Sequence, residues 1–226
     1  AIAQKMKSRF GVELDPSTEI CSLLGSKEGL ANFIRVLINP TMAKEEQEVV
    51  FVPDPGYASY GQMITIAGGK SYPVPLTPEN NFMPNLDEVW NSYIKEGGKA
   101  EKVKALIINY PNNPLGATAT REYYKHCIEF CKKHHILLMS DAAYADLYFN
   151  EEESNSSKEF LLVTSRPDGL FTMIILESSK TISKFICGAS KNSSLINIFK
   201  ISPVCTTMFS EVLTSFTLIS FLRKAL

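Results

Sequence analysis

The sequence predicts an α/β fold with a largely parallel sheet, and three observations predict it. Apolar, β-rich runs alternate with stretches of helical periodicity, and the connections between them are short. Several of the runs, Val103–Asn109 (VKALIIN) above all, are nearly continuous in apolar residues, the mark of strands covered on both faces.

Taken in order, residues 1–10 read as the last turns of a helix, with neither the basic start nor the apolar run of a secretory leader. Ser26 is the expected N-cap of a helix running through Phe33 to Leu37, because its hydroxyl can accept a free N–H of the first turn. Residues 49–52 (VVFV) form a strand closed by the turn signal Pro53-Asp54-Pro55-Gly56. A second strand follows Gly68-Gly69 over residues 70–76. A helix over 85–95 puts Leu86, Val89, Trp90 and Ile94 on one side. After Val103–Asn109, a helix over 120–134 carries Tyr124, Cys127, Ile128 and Cys131 at three-to-four spacing. Strands at 136–139 (ILLM) and Thr172–Leu176 complete the set, with the polar residues 150–158 as an exposed loop. In residues 203–226, Val204, Met208, Val212 and Phe216 recur every four residues. That spacing, interrupted by Glu211 and several Ser and Thr, reads as a packing helix and not a membrane span.

The 226 residues are 45% hydrophobic and 21% charged, with 23 basic residues against 24 acidic. This is the balance of a globular protein, and it excludes a disordered tail, a collagen-like fibre and a disulfide-stapled miniprotein. It leaves no basic stripe to neutralise nucleic-acid phosphates. No repeat or linker divides the chain. Five scattered cysteines read as reduced thiols of a cytoplasmic protein, and Cys127 and Cys131 lack the second pair that a metal site needs.

In such sheets ligands bind beyond the carboxyl ends of the strands. Polar and aromatic residues gather at those ends here. Asp141, after ILLM, is either the cap of the next turn or a buried anion that holds a protonated ring nitrogen; a buried carboxylate needs such a partner. Tyr144, three residues on, can reach the same place or pack in the core. Asn113 lies in NYPNNPLG, a string of turn formers longer than a plain turn requires. Lys180, in ESSKT after Thr172–Leu176, is the candidate nucleophile: a desolvated amine forms a Schiff base with an aldehyde, whereas an exposed one is a surface charge. Ser178 and Ser179 beside it can donate to a phosphate. Ser26 and Lys27 open a helix and make an anion site or an ordinary helix start. Tyr57 can lay its ring on a planar ligand or pack within its loop.

The strings GSKEG, PDPGY, NYPNNPLGA and SDAAYADLYF, in this order, resemble the large domain of the fold-type I pyridoxal-phosphate enzymes, and within them the class I/II aminotransferases. RFGVELDP, GSKEGLA and LTPENNFMPNLDEV are most similar to the LL-diaminopimelate aminotransferase subgroup. The resemblance implies a three-layer α/β/α large domain with a mostly parallel sheet. It treats residues 1–226 as one incomplete pyridoxal-phosphate-binding domain, without an N-terminal arm or a C-terminal small domain. It implies that Asp141 pairs with the pyridinium nitrogen, that Tyr144 and Asn113 contact the cofactor's phenolic oxygen, and that Tyr57 stacks on the ring. Ser26 and Lys27, with Ser178 and Ser179, would bind the phosphate, and Lys180 would carry the internal aldimine. The implied activity is transamination between an amino acid, LL-diaminopimelate for this subgroup, and a 2-oxo acid. No metal, nucleic acid or membrane enters, and the full-length form would be a homodimer. A non-catalytic remnant and a lyase or synthase of the same fold are the alternatives. The chain departs from the family pattern after Lys180: no arginine lies between Arg166 and Arg223, and Glu177 stands where a serine is usual. Lys184 and Lys191 are the cations left to take the arginine's place.

Overall fold

The computed structural model describes residues 1–17, 19–23 and 25–145, together with two strands further on. The elements are α1 (Ile2–Phe10), β1 (Ile20–Ser22), α2 (Ser26–Leu37), β2 (Val49–Asp54), α3 (Ser59–Ile66), β3 (Lys70–Pro75) and α4 (Leu86–Lys95). They continue with β4 (Val103–Asn109), α5 (Arg121–His134), β5 (Leu137–Asp141), β6 (Thr172–Leu176) and β7 (Lys184–Gly188). The expected loop at 150–158 and helix at 203–226 lie outside the described residues.

The described strands form one seven-stranded sheet in the order β1-β7-β6-β5-β4-β2-β3. From β3 across to β6 every pairing is parallel, and β7 runs antiparallel to both of its neighbours. The largely parallel sheet is therefore as predicted, while β1, β7 and α3 are additions that the sequence pattern had not revealed. Two hydrophobic layers cover it. Leu30, Ile34 and Leu37 of α2 and Tyr60, Met63 and Ile64 of α3 pack on Val50, Ala105, Ile107 and Met139. On the opposite face Leu86, Val89 and Tyr93 of α4 and Tyr124, Cys127, Ile128 and Cys131 of α5 pack on Phe51, Leu106, Ile108 and Leu138. Burial pushes the Cys127 thiol up to about 12, so it packs as a small neutral hydrophobe.

Strand alternation assigns each residue its layer, with one interruption. Val49 pairs with Val103 and Val50 with Ala105, so Lys104 is an extra residue in β4. That bulge lets Val103 and Leu106 share a face, three residues apart. The displaced Lys104 reaches Glu48 at 3.0 Å, and Glu48 also accepts the backbone and side-chain amides of Asn39 at 2.7 and 3.0 Å. A mostly buried carboxylate is thereby satisfied on several sides.

Two sequence expectations need correction. Gly25, in extended conformation, is the N-cap of α2; Ser26 is the first helical residue, and no side chain caps that end. In α4 the third buried position belongs to Tyr93, and Ile94 is 40% exposed. The phenol hydroxyl of Tyr93 donates to the Lys99 carbonyl at 3.1 Å, so the ring packs inward while its polar tip stays bonded. No helix among the described residues is long and apolar enough to cross a membrane.

Candidate active site

The carboxyl ends of β2, β4 and β5 and the start of α2 converge. Asp141 ends β5 opposite Asn109, the last residue of β4. It is 5% exposed, and its Oδ2 accepts a hydrogen bond of 2.6 Å from the Tyr60 hydroxyl of α3. The backbone is held as tightly as the side chain. Asn109 Nδ2 donates to the Asp141 carbonyl at 2.8 Å, and Asn109 Oδ1 accepts the Asn113 N–H at 2.8 Å. One buried amide thus ties the end of β5 to the loop that follows β4.

That loop is knotted on Asn112. Its N–H donates to the Ala117 carbonyl, its carbonyl accepts from Gly116, and its Oδ1 accepts the Leu115 N–H at 3.1 Å. Gly116 supplies the left-handed turn, with φ of 71°. The rigid loop presents Asn113, whose Nδ2 donates to the Tyr144 hydroxyl at 3.0 Å. Tyr144 stands in the turn just after β5 and keeps 36% of its surface exposed. Amide and phenol therefore form a pair at the ends of the loops that follow β4 and β5.

On the other side, β2 leads through Pro55-Gly56 to Tyr57. A side chain at Gly56 would place Cβ 2.3 Å from the Pro53 carbonyl oxygen, so the turn requires glycine. Tyr57 meets Tyr60 edge to face, with centroids 5.6 Å apart, and the Lys27 ammonium lies 5.4 Å from the Tyr57 centroid. Hydrogen bonding from Lys27, and then from Ser59, holds the Tyr57 phenol below its usual range. Tyr60 goes the other way: burial first, then the charge of Asp141, pushes its phenol far up. It stays protonated at any working pH and donates to the carboxylate.

Of the residues expected from sequence, Ser26, Lys27, Tyr57, Asn113, Asp141 and Tyr144 are described, and all lie at this end of the sheet. Lys180, Ser178 and Ser179 lie outside the described residues, as do Glu177 and Lys191; Lys184 begins β7. Two residues had escaped the sequence reading, Tyr60 and Asn109. Each had a signal: Tyr60 follows Tyr57 by one helical turn, and Asn109 is a polar end to an otherwise apolar buried strand. Among the described residues, no group of three or more His, Cys, Asp or Glu is placed to hold a metal.

The arrangement is a buried acceptor at the floor, an aromatic wall with a cation over it, a phenol–amide pair at the rim, and a helix start nearby. Residues 1–186 match the family model described as aminotransferase class I and II. The chain belongs to that family. Curated relatives include the LL-diaminopimelate aminotransferase of Natranaerobius thermophilus, 39% identical over 69% of this chain and 37% of that protein. The enzyme of the same name from Maridesulfovibrio salexigens is 37% identical over 87% of this chain and 47% of its own length. The chain thus spans less than half of each of these two relatives. Among solved structures, substrate-bound BacF from Bacillus subtilis superposes with a TM-score of 0.69 at 27% identity, covering 96% of this chain and 49% of that one. An aromatic aminotransferase from Pyrococcus horikoshii OT3 gives 0.64 at 28%, over 84% and 48%.

Proposed function

We propose that this chain supplies the pyridoxal-phosphate site of an aminotransferase that moves an amino group between an amino acid and a 2-oxo acid. The observation that carries the reading is the buried Asp141 carboxylate among the converging strand ends, held by Tyr60, with the bonded Asn113–Tyr144 pair on the loops that follow β4 and β5. The donor set suits the cofactor. An anion in a dry place favours a cationic ring nitrogen, a phenol and an amide suit a phenolic oxygen, and a helix start bearing a hydroxyl and an ammonium suits a phosphate.

When bound, pyridoxal phosphate supplies an electron-poor ring that takes up charge from the substrate's Cα–H bond. Asp141 would hold a proton at the ring nitrogen. Tyr57 would lie against the ring face, Asn113 and Tyr144 would hold the phenolic oxygen, and Ser26 and Lys27, with Ser178 and Ser179, would bind the phosphate. Lys180 would supply the amine that holds the cofactor's aldehyde carbon and, once the substrate's amino group has displaced it from that carbon, would be the base for the substrate Cα proton. The name of the curated relatives supports LL-diaminopimelate as the amino donor. A place in lysine biosynthesis and a cytoplasmic homodimer belong to the same proposal and rest on the family resemblance alone.

The test is spectroscopic. Mixed with pyridoxal phosphate, the purified chain develops a band at the edge of the visible range that borohydride fixes on Lys180, and the Lys180→Ala variant develops none. Identical behaviour of the two proteins refutes the reading. A panel of amino donors, diaminopimelate and glutamate among them, then identifies the substrate by which donor shifts the band.

A further inference from the structure

We infer that Tyr60 is a positioning residue for this site: its hydroxyl fixes the Asp141 carboxylate in place and keeps it ionised for the ring nitrogen. The inference rests on the proposed cofactor site and deepens it.

The observations are geometric. Tyr60 is 1% exposed and sits on the first turn of α3, 81 residues from Asp141 in the chain, yet the two side chains meet at 2.6 Å. Asp141 is an acceptor at the end of β5, and the phenol is the donor, since burial and the adjacent carboxylate oppose its ionisation. A hydrogen bond given to the charged form of an acid favours that form. In a buried place it also fixes the orientation of the carboxylate oxygens, which water cannot do there. The same backbone turn carries Tyr57: the Tyr60 N–H donates to the Tyr57 carbonyl at 3.0 Å, and the rings touch edge to face. One turn of chain therefore sets both the wall for the ring face and the hold on the carboxylate, so neither can move far without the other. In the opposite layer the buried Tyr93 and Tyr110 donate to the Lys99 and Phe82 carbonyls, and Tyr72 meets its acid, Glu96, at 3.2 Å on the exposed surface.

The experiment follows the Asp141 side-chain carbon by NMR in cofactor-free protein as pH is varied. Tyr60→Phe keeps the ring and removes the donor, and it is expected to raise the titration midpoint of Asp141 by about one pH unit or more. Replacing the Tyr60 phenol with a difluorinated phenol, a stronger donor of nearly the same shape, is expected to lower the midpoint. It serves as the deciding variant if Tyr60→Phe does not fold. An unchanged midpoint in a folded variant overturns the inference. Pyridoxal phosphate affinity is read alongside, with an expected weakening of about tenfold for Tyr60→Phe. If the midpoint moves but Asp141→Asn binds pyridoxal phosphate as tightly as the parent chain, the site reading has failed. Tyr60 is then a structural partner of Asp141 and nothing more, which overturns its positioning role.

Discussion

The two faces of the sheet bury their aromatic residues to different ends. Beneath α4 and α5, Phe51 packs against Tyr72, Trp90 and Tyr93 with ring centroids 5.2 to 6.0 Å apart. Trp90 continues the cluster to Phe130 and His134. Beneath α2 and α3 the aromatic content is small, but it is aimed at the strand ends, where Tyr60 donates to Asp141 and Tyr57 packs on Tyr60. Packing alone asks only that a hydroxyl find some acceptor, and a backbone carbonyl serves. The layer next to the site instead directs a fully buried hydroxyl to a buried carboxylate, an arrangement that stabilisation of a core does not require. Tyr72 of the first layer, by contrast, meets Glu96 at the exposed surface. Aromatic residues by themselves thus say little about function; what their polar tips touch says a good deal.

Mutations should separate the two layers. Asp141→Ala removes the floor of the site and is expected to cost about a hundredfold or more in transamination rate, measured at saturating donor, with the urea midpoint little changed. Phe51→Ala, at a fully buried position, should do the reverse. It is expected to lower the unfolding free energy by about 3 to 5 kcal/mol in urea titrations, while the folded fraction binds pyridoxal phosphate as before. An equal loss of affinity in both variants would erase the contrast.

Smaller effects sharpen it at the edges. Glu48→Gln leaves Lys104 without its anion at the β4 bulge and should cost about 1 to 3 kcal/mol by the same measurement. Glu46 is exposed, with hydrogen bonds from Lys102 and then Lys99 lowering its pKa to about 2. Its folded pKa lies below the ordinary 4.5, so its contribution is present above that value and fades as pH falls toward about 2. Glu46→Gln should flatten the pH dependence of thermal unfolding across that window only, and added salt should shrink the difference further.

Much of the frame was legible in the residues, for reasons that differ by element. Strand β4 coincides with its predicted bounds, because an apolar run buried on both faces stands out against its polar flanks. Helix α5 was equally clear: Thr120 caps it by accepting the Tyr123 N–H at 3.3 Å, and Lys132, Lys133 and His134 favour its last turn. Helix α3 was hidden, since SYGQMITI mixes glycine with β-branched residues and reads poorly as a helix. Strands β1 and β7 pair with each other across 162 to 166 residues of chain, and no local pattern announces such a pairing. The α4 face was misread because apolarity ranks Ile94 above Tyr93, whereas the tyrosine buries its ring and bonds its hydroxyl. The same blindness explains Tyr60. Its partner is far away in sequence, and a tyrosine that holds a carboxylate looks, as a letter, like any tyrosine in a core.

The account turns on whether Asp141 holds a proton on the cofactor ring. Pyridoxal phosphate labelled with nitrogen-15 in the ring, bound to the chain and observed by NMR, reports that proton directly. We expect a protonated ring nitrogen across the neutral range that becomes unprotonated in Asp141→Ala. The same nitrogen signal in both proteins would contradict the account.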